Sequence, residues 1–67
     1  MIIKITEHAR FKMYEEGIDE DMVKEAIKKG SKFKQTEGLL TVYKYYSIAY
    51  KIIKKDTFKI KTVYTNR

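Results

Sequence analysis

The chain contains no cysteine and no proline, and it has a single histidine. Without cysteine, disulfides and thiolate metal sites are excluded as sources of stability. One histidine argues against a zinc site built from this chain alone, because catalytic zinc usually takes three side-chain ligands. No apolar run approaches the ~18 residues that span a bilayer, and no signal peptide is visible. We therefore expect a cytoplasmic protein with no metal, no cofactor and no membrane contact.

The length of the chain limits its hydrophobic core. With 67 residues it forms one domain, and a domain of this size buries only roughly 60% of its unfolded surface. Such a core gives marginal stability without further support. A homodimer would be the most available support. Charged residues make up 36% of the chain, which together with the missing proline and cysteine fits a thermophile.

The charge of the chain is strongly one-sided. The chain has fifteen lysines and arginines and nine acidic residues, which gives a net charge of +6. A small basic domain of this kind suggests RNA, another nucleic acid or another polyanion as its partner. The alternative is a soluble protein from a lysine-rich proteome, whose charge serves solubility alone.

Two helices are predicted at the start of the chain. Thr6 is a candidate N-cap, and Gly17 can end the first helix in the left-handed conformation. Asp19 caps the second helix, which ends at Gly30. The two helices therefore form a hairpin with a very short turn.

After the helices, the pattern changes to the alternation that is typical of strands. The first residues, 1–5, are either an edge strand or the lead-in to the first helix. The later predicted strands are Lys32 to Thr36, Leu39 to Tyr46 with a bend at Ser47, Ile48 to Lys54, and Thr57 to Thr65. The predicted fold is α+β, with the helical hairpin packed on one face of a twisted three- to four-stranded antiparallel sheet. It comprises a single domain over residues 1–67.

One group of candidate functional residues surrounds the histidine. His8 and Lys12 are one helical turn apart, so both can face a crevice beside the core. Alternation along the last strand places Thr62 and Tyr64 on the same side as the apolar Phe58. Histidine exchanges protons near neutral pH, and lysine can stabilise charge on a phosphate. The alternative is a half-buried histidine that is hydrogen-bonded to Thr62 or to backbone.

A second group is basic and lies on the sheet face that the helices leave open. Lys51, Lys59 and Lys61 alternate with apolar residues, and Lys44 and Arg67 extend the group. A basic sheet with nearby aromatic rings could follow a phosphate backbone and stack bases. The alternative is a solvated face whose lysines prevent edge-to-edge aggregation.

The first helix also carries a family resemblance. Thr6-Glu-His-Ala-Arg-Phe-Lys-Met13, followed by Glu16-Gly-Ile18, resembles a family of small domains of unknown function whose opening reads T-x-H-A-x-x-R-M-x-x-R-G-I. That family is similar in fold to the RelE-type and barnase-like small RNases, which include toxins of toxin–antitoxin pairs. The resemblance implies a RelE-like α+β fold and, more loosely, RNA cleavage. His8 holds the motif histidine, and Lys12 stands where the motif has its first arginine. Glu16 replaces the second arginine and reverses its charge, which gives Lys12 an internal partner or weakens phosphate binding.

Two functional hypotheses follow. In the first, the chain is a metal-independent endoribonuclease in which the RNA 2′-hydroxyl is the nucleophile. His8 then acts as general acid or base and Lys12 stabilises the phosphorane. In the second, the chain is a non-catalytic module. Its partner is then nucleic acid, or an acidic antitoxin-like protein that covers the basic face of the chain.

Overall fold

The fold is α+β, as predicted, in the computed structural model, which describes residues 1–65. Both helices follow the first strand and precede the other four strands. The elements are β1 (Ile2–Ile5), α1 (Glu7–Glu16), α2 (Glu20–Lys29), β2 (Ser31–Gln35), β3 (Gly38–Tyr43), β4 (Tyr46–Lys54) and β5 (Thr57–Thr65).

The boundaries of the helices follow from local capping, and these predictions are confirmed. The Thr6 hydroxyl accepts a hydrogen bond from the amide of Ala9 at 3.0 Å. The Asp19 carboxylate accepts one from the amide of Met22 at 2.9 Å. Gly17 ends α1 with a φ of 71°, in the left-handed region that glycine enters without a Cβ penalty.

The sheet is larger than predicted, and it is mixed. It has five strands in the order β1-β5-β4-β3-β2, with β1 parallel to β5 and the other pairs antiparallel. The prediction of a purely antiparallel sheet of three to four strands is therefore wrong. A parallel neighbour needs a long connection, and here the two helices and three strands between β1 and β5 provide it. Four residues of β1 are too few to show that pairing by their pattern.

One predicted strand end is also wrong. The range Leu39 to Tyr46 with a bend at Ser47 does not describe a single strand, because β3 ends at Tyr43. Lys44 and Tyr45 form the turn to β4, and Lys44 has a φ of 52°. Two-residue turns of this kind usually place glycine, asparagine or aspartate at the positive φ, so a lysine gave no turn signal.

The core lies between the helices and one face of the sheet. Its fully buried tyrosine, Tyr46, donates a hydrogen bond to the carbonyl of Met22 at 2.7 Å. Burial, with the charge of Glu25 as a smaller cause, raises the pKa of Tyr46 to about 12. Burial also raises the pKa of Tyr50. The buried residues of this cluster are Ala9, Met13, Ile18, Val23, Ala26, Ile27, Tyr46, Ile48, Tyr50, Ile60 and Val63.

A β-bulge in β5 decides which side chains reach the core. Tyr50 pairs with Ile60 and Ala49 pairs with Thr62, so Lys61 is the extra residue on β5. The bulge reverses the alternation, and Val63 rather than Thr62 is buried in the core.

The prediction that Thr62 and Tyr64 share the side of Phe58 is therefore wrong. Val63 lies between them and points into the core, so both neighbours point away from it. Tyr64 is 48% exposed, in agreement with this placement.

Candidate functional site

A row of three lysines crosses the face of the sheet that is opposite the helices. We call this face the open face; on β4 it carries Ser47, Ala49 and Lys51, which alternate with the core residues of that strand. Lys51 is the cross-strand partner of Lys59, and Lys59 is the partner of Lys4. These three residues, the lysine row, span about 10 Å because neighbouring strands lie roughly 4.8 Å apart.

The charges of the lysine row have no acidic partner in the described part of the chain. All three lysines are exposed, and none of the ion pairs formed within residues 1–65 includes them. Like charges that face each other across strands repel. A polyanion placed over the row would relieve that repulsion.

The other predicted basic residues have different surroundings. The Lys61 ammonium donates a hydrogen bond to the carbonyl of Glu37, in the β2–β3 turn, at 2.6 Å. The Lys44 ammonium lies 3.7 Å from the Glu25 carboxylate and 5.2 Å from the centre of the Tyr43 ring. Lys61 thus lies on the open face beside the lysine row, whereas Lys44 is paired with Glu25 and Tyr43. Arg67 lies outside the described residues.

The excess positive charge belongs to the sheet half of the chain. Residues 1–30 carry six basic and seven acidic side chains, whereas residues 31–67 carry nine basic and two acidic ones. The helices therefore form a nearly neutral layer. The positive charge of the chain is thus concentrated in the part of the sequence that follows the helices.

His8 borders the open face from the edge of β5. Strand β1 ends at Ile5, and α1 then continues beside β5, where the Thr6 hydroxyl bonds to the carbonyl of Ile60 at 3.1 Å. His8 Nε2 lies 3.1 Å from the Thr62 hydroxyl oxygen. The bond to Thr62 that the structural alternative predicts is present, but the imidazole is exposed rather than half-buried.

Lys12 faces carboxylates rather than an open pocket. Its ammonium lies 3.6 Å from a Glu15 oxygen and 3.9 Å from a Glu16 oxygen. Glu16 also accepts a short hydrogen bond from the Thr65 hydroxyl. The predicted internal partner of Lys12 is therefore present. With its charge offset in this way, Lys12 is a weaker candidate for phosphate contact than the lysine row.

Lys4 is the functional candidate that the sequence reasoning missed. Ile3 and Ile5 pack against the core, so Lys4 must point to the opposite face of β1. That alternation was the available signal. The alternation places Lys4 on the open face only if residues 2–5 form a strand. That strand is established by its pairing with β5, which the local sequence does not show.

The described residues offer neither a metal-binding cluster nor a helix that could span a membrane. Within residues 1–65, no three histidine, cysteine or acidic side chains lie close enough together to hold a metal ion. Neither helix has the length and the apolar composition to cross a bilayer.

Fold and site together define a small α+β domain with a lysine-rich open sheet and an exposed histidine at the edge of that sheet. Residues 5–65 match the family model of a domain of unknown function, DUF4258. The chain belongs to this family. No curated protein and no solved structure matches it significantly.

Proposed function

We propose that this chain is a small nucleic-acid-binding domain that holds the phosphate backbone of RNA on the lysine row. The observation that supports this most is the alignment of Lys4, Lys59 and Lys51 on adjacent strands without acidic partners. Nothing in the core requires three like charges to be neighbours, and their mutual repulsion costs stability. A function that requires neighbouring positive charges, such as binding to phosphates, would explain why the three lysines lie together.

The expected binding is electrostatic and depends on salt. Each phosphate that a lysine neutralises releases counterions, so affinity falls as salt rises. For three contacts to a single strand, log K should fall with log salt with a slope of about −2.

Fluorescence anisotropy with a labelled RNA, titrated between about 50 and 200 mM salt, measures this slope. A flat salt dependence, or no binding at the lowest salt, contradicts the proposal. If the partner is instead an acidic antitoxin-like protein, the chain will bind that protein in a salt-sensitive way and will not bind RNA.

A second candidate function is a metal-independent, RelE-like endoribonuclease. The observation that favours it is the exposed His8 ring, which is bonded to Thr62 at the margin of the open face. In this reaction His8 takes the proton of an RNA 2′-hydroxyl, and the 2′-oxygen forms a bond to the adjacent phosphorus. The bond to the 5′-oxygen breaks, and that oxygen takes a proton from the Tyr64 hydroxyl or from water. The products are a 2′,3′-cyclic phosphate and a 5′-hydroxyl.

A His8→Gln variant tests the reaction. Glutamine retains a polar group toward Thr62 but cannot exchange protons near neutral pH, so cleavage in the presence of a chelator should fall about 100-fold or more. RNA affinity should not change, since the lysine row is intact. Wild-type protein that leaves RNA uncut, or a variant that cuts at the wild-type rate, would remove the endoribonuclease while leaving the binding proposal in place.

A further inference from the structure

Beyond the lysine row, the open face continues as two rows of small, apolar and aromatic side chains. The register of the strands defines each row, because cross-strand partners lie on the same face. The middle row consists of Thr62, Ala49, Leu40 and Phe33. The last row consists of Tyr64, Ser47, Val42 and Ser31.

The centre of this surface is covered although no helix lies on it. Ser47 is only 4% exposed and Ala49 only 3%, and the helices pack on the opposite face. The cover must come from the neighbouring strands and from the β2–β3 turn, whose Glu37 carbonyl accepts a hydrogen bond from the Lys61 ammonium. The cross-strand partner of Ser47 is Tyr64, which is itself 48% exposed.

The Tyr64 side chain lies next to Ser47 on the open face. Cross-strand side chains start only about 5 Å apart, so the two residues are close neighbours. The 48% exposure of Tyr64 leaves about half of this side chain open to solvent. A half-exposed tyrosine on a sheet offers an aromatic surface on which a planar base can stack.

We infer that the open face selects single-stranded over double-stranded nucleic acid, with an unpaired base stacked on Tyr64. This inference rests on the proposed function and names its substrate class. Tyr64 and Lys59, the middle residue of the lysine row, are both on β5, separated by about 15 Å of strand. A single strand that crosses the lysine row and then turns at Lys59 to follow β5 can pass Lys61 and place a base on Tyr64. Paired bases are enclosed in their own stack and offer no free face to the ring.

Matched probes and variants separate this inference from plain charge attraction. The probes are an unstructured labelled RNA of roughly twelve nucleotides and the same RNA annealed to its complement. Wild-type protein should bind the single strand at least about fivefold more tightly. Tyr64→Leu keeps an apolar cover for Ser47 but has no aromatic face. It should weaken single-strand binding about fivefold or more while leaving duplex binding and thermal unfolding unchanged.

Two further variants serve as controls. Tyr64→Phe keeps the ring and should bind as wild type. Tyr14→Leu removes an equivalent ring from α1, where Tyr14 is 88% exposed, and should also bind as wild type.

The inference is overturned if the wild type binds duplex as tightly as single strand, or if Tyr64→Leu weakens both equally or neither. In those cases a salt-dependent affinity that uses the lysine row still supports the proposed function. Failure to bind either probe overturns both.

Discussion

A Lys51→Glu/Lys59→Glu variant is expected to bind RNA about 100-fold more weakly than the wild type at low salt. Each lost charged contact is worth about 1.5 kcal/mol or more, and two such losses correspond to at least two orders of magnitude in affinity. The salt dependence should also become shallower, by about 0.7 in slope for each contact removed from a single strand. Anisotropy titrations at several salt concentrations measure both effects.

The double substitution is well matched to the wild type in stability. Lys51 and Lys59 are cross-strand partners, so two glutamates keep a like-charge pair at the same place and add an attraction between position 59 and Lys4. A second variant, Lys28→Glu/Lys29→Glu, gives the same net charge with the reversals placed at the end of α2. If both variants lose affinity equally, overall charge rather than the lysine row controls binding, and the proposed interface is wrong.

A Gly30→Ala variant is expected to lose several kcal/mol of unfolding free energy, of the order of an entire small domain's stability. Gly30 lies between α2 and β2, and an added Cβ would lie 2.6 Å from the carbonyl oxygen of Ala26 and 2.8 Å from that of Val42. It would also overlap the Thr41 hydroxyl, which donates a buried hydrogen bond to Ala26. Since two of these contacts are backbone, they cannot be relieved by a rotamer change.

Urea denaturation followed by circular dichroism measures this loss, and Gly17→Ala provides the control. Gly17 has open space around its Cα but a φ of 71°, so alanine there costs only the left-handed backbone penalty of about 1 kcal/mol. The two variants thus separate close packing from backbone strain. A Gly30→Ala protein that unfolds at the wild-type midpoint would show that α2 does not approach β3 as described.

The features that could be predicted from sequence are those with local causes. Thr6 and Asp19 cap their helices through side-chain bonds to amides three residues later, and such spacing is visible in any window of the chain. The outward positions of Lys51 and Lys59 follow from simple alternation within β4 and β5. Register between distant segments has no such local signal, and for this reason the parallel β1–β5 pair was not predicted.

The candidate site shows the same division. His8 and Thr62 were predicted to meet, and they do so at 3.1 Å. The predicted reason, a Thr62 side chain on the same side of β5 as Phe58, was wrong, because the bulge at Lys61 turns Thr62 to the opposite face. Thr62 meets His8 because α1 lies beside this part of β5. No glycine marks this bulge. The position of the bulge depends on how β4 and β5 pack together against the helices. The sequence of one strand carries no information about that packing.

The pairing of the first strand with the last has a consequence for the order of assembly. Lys4 reaches its place beside Lys59 only when chain segments 55 residues apart in sequence have come together, and contacts of such separation form late and slowly. A chain without β5 has neither Lys59 nor a strand beside Lys4, so the lysine row is complete only after the final strand has docked.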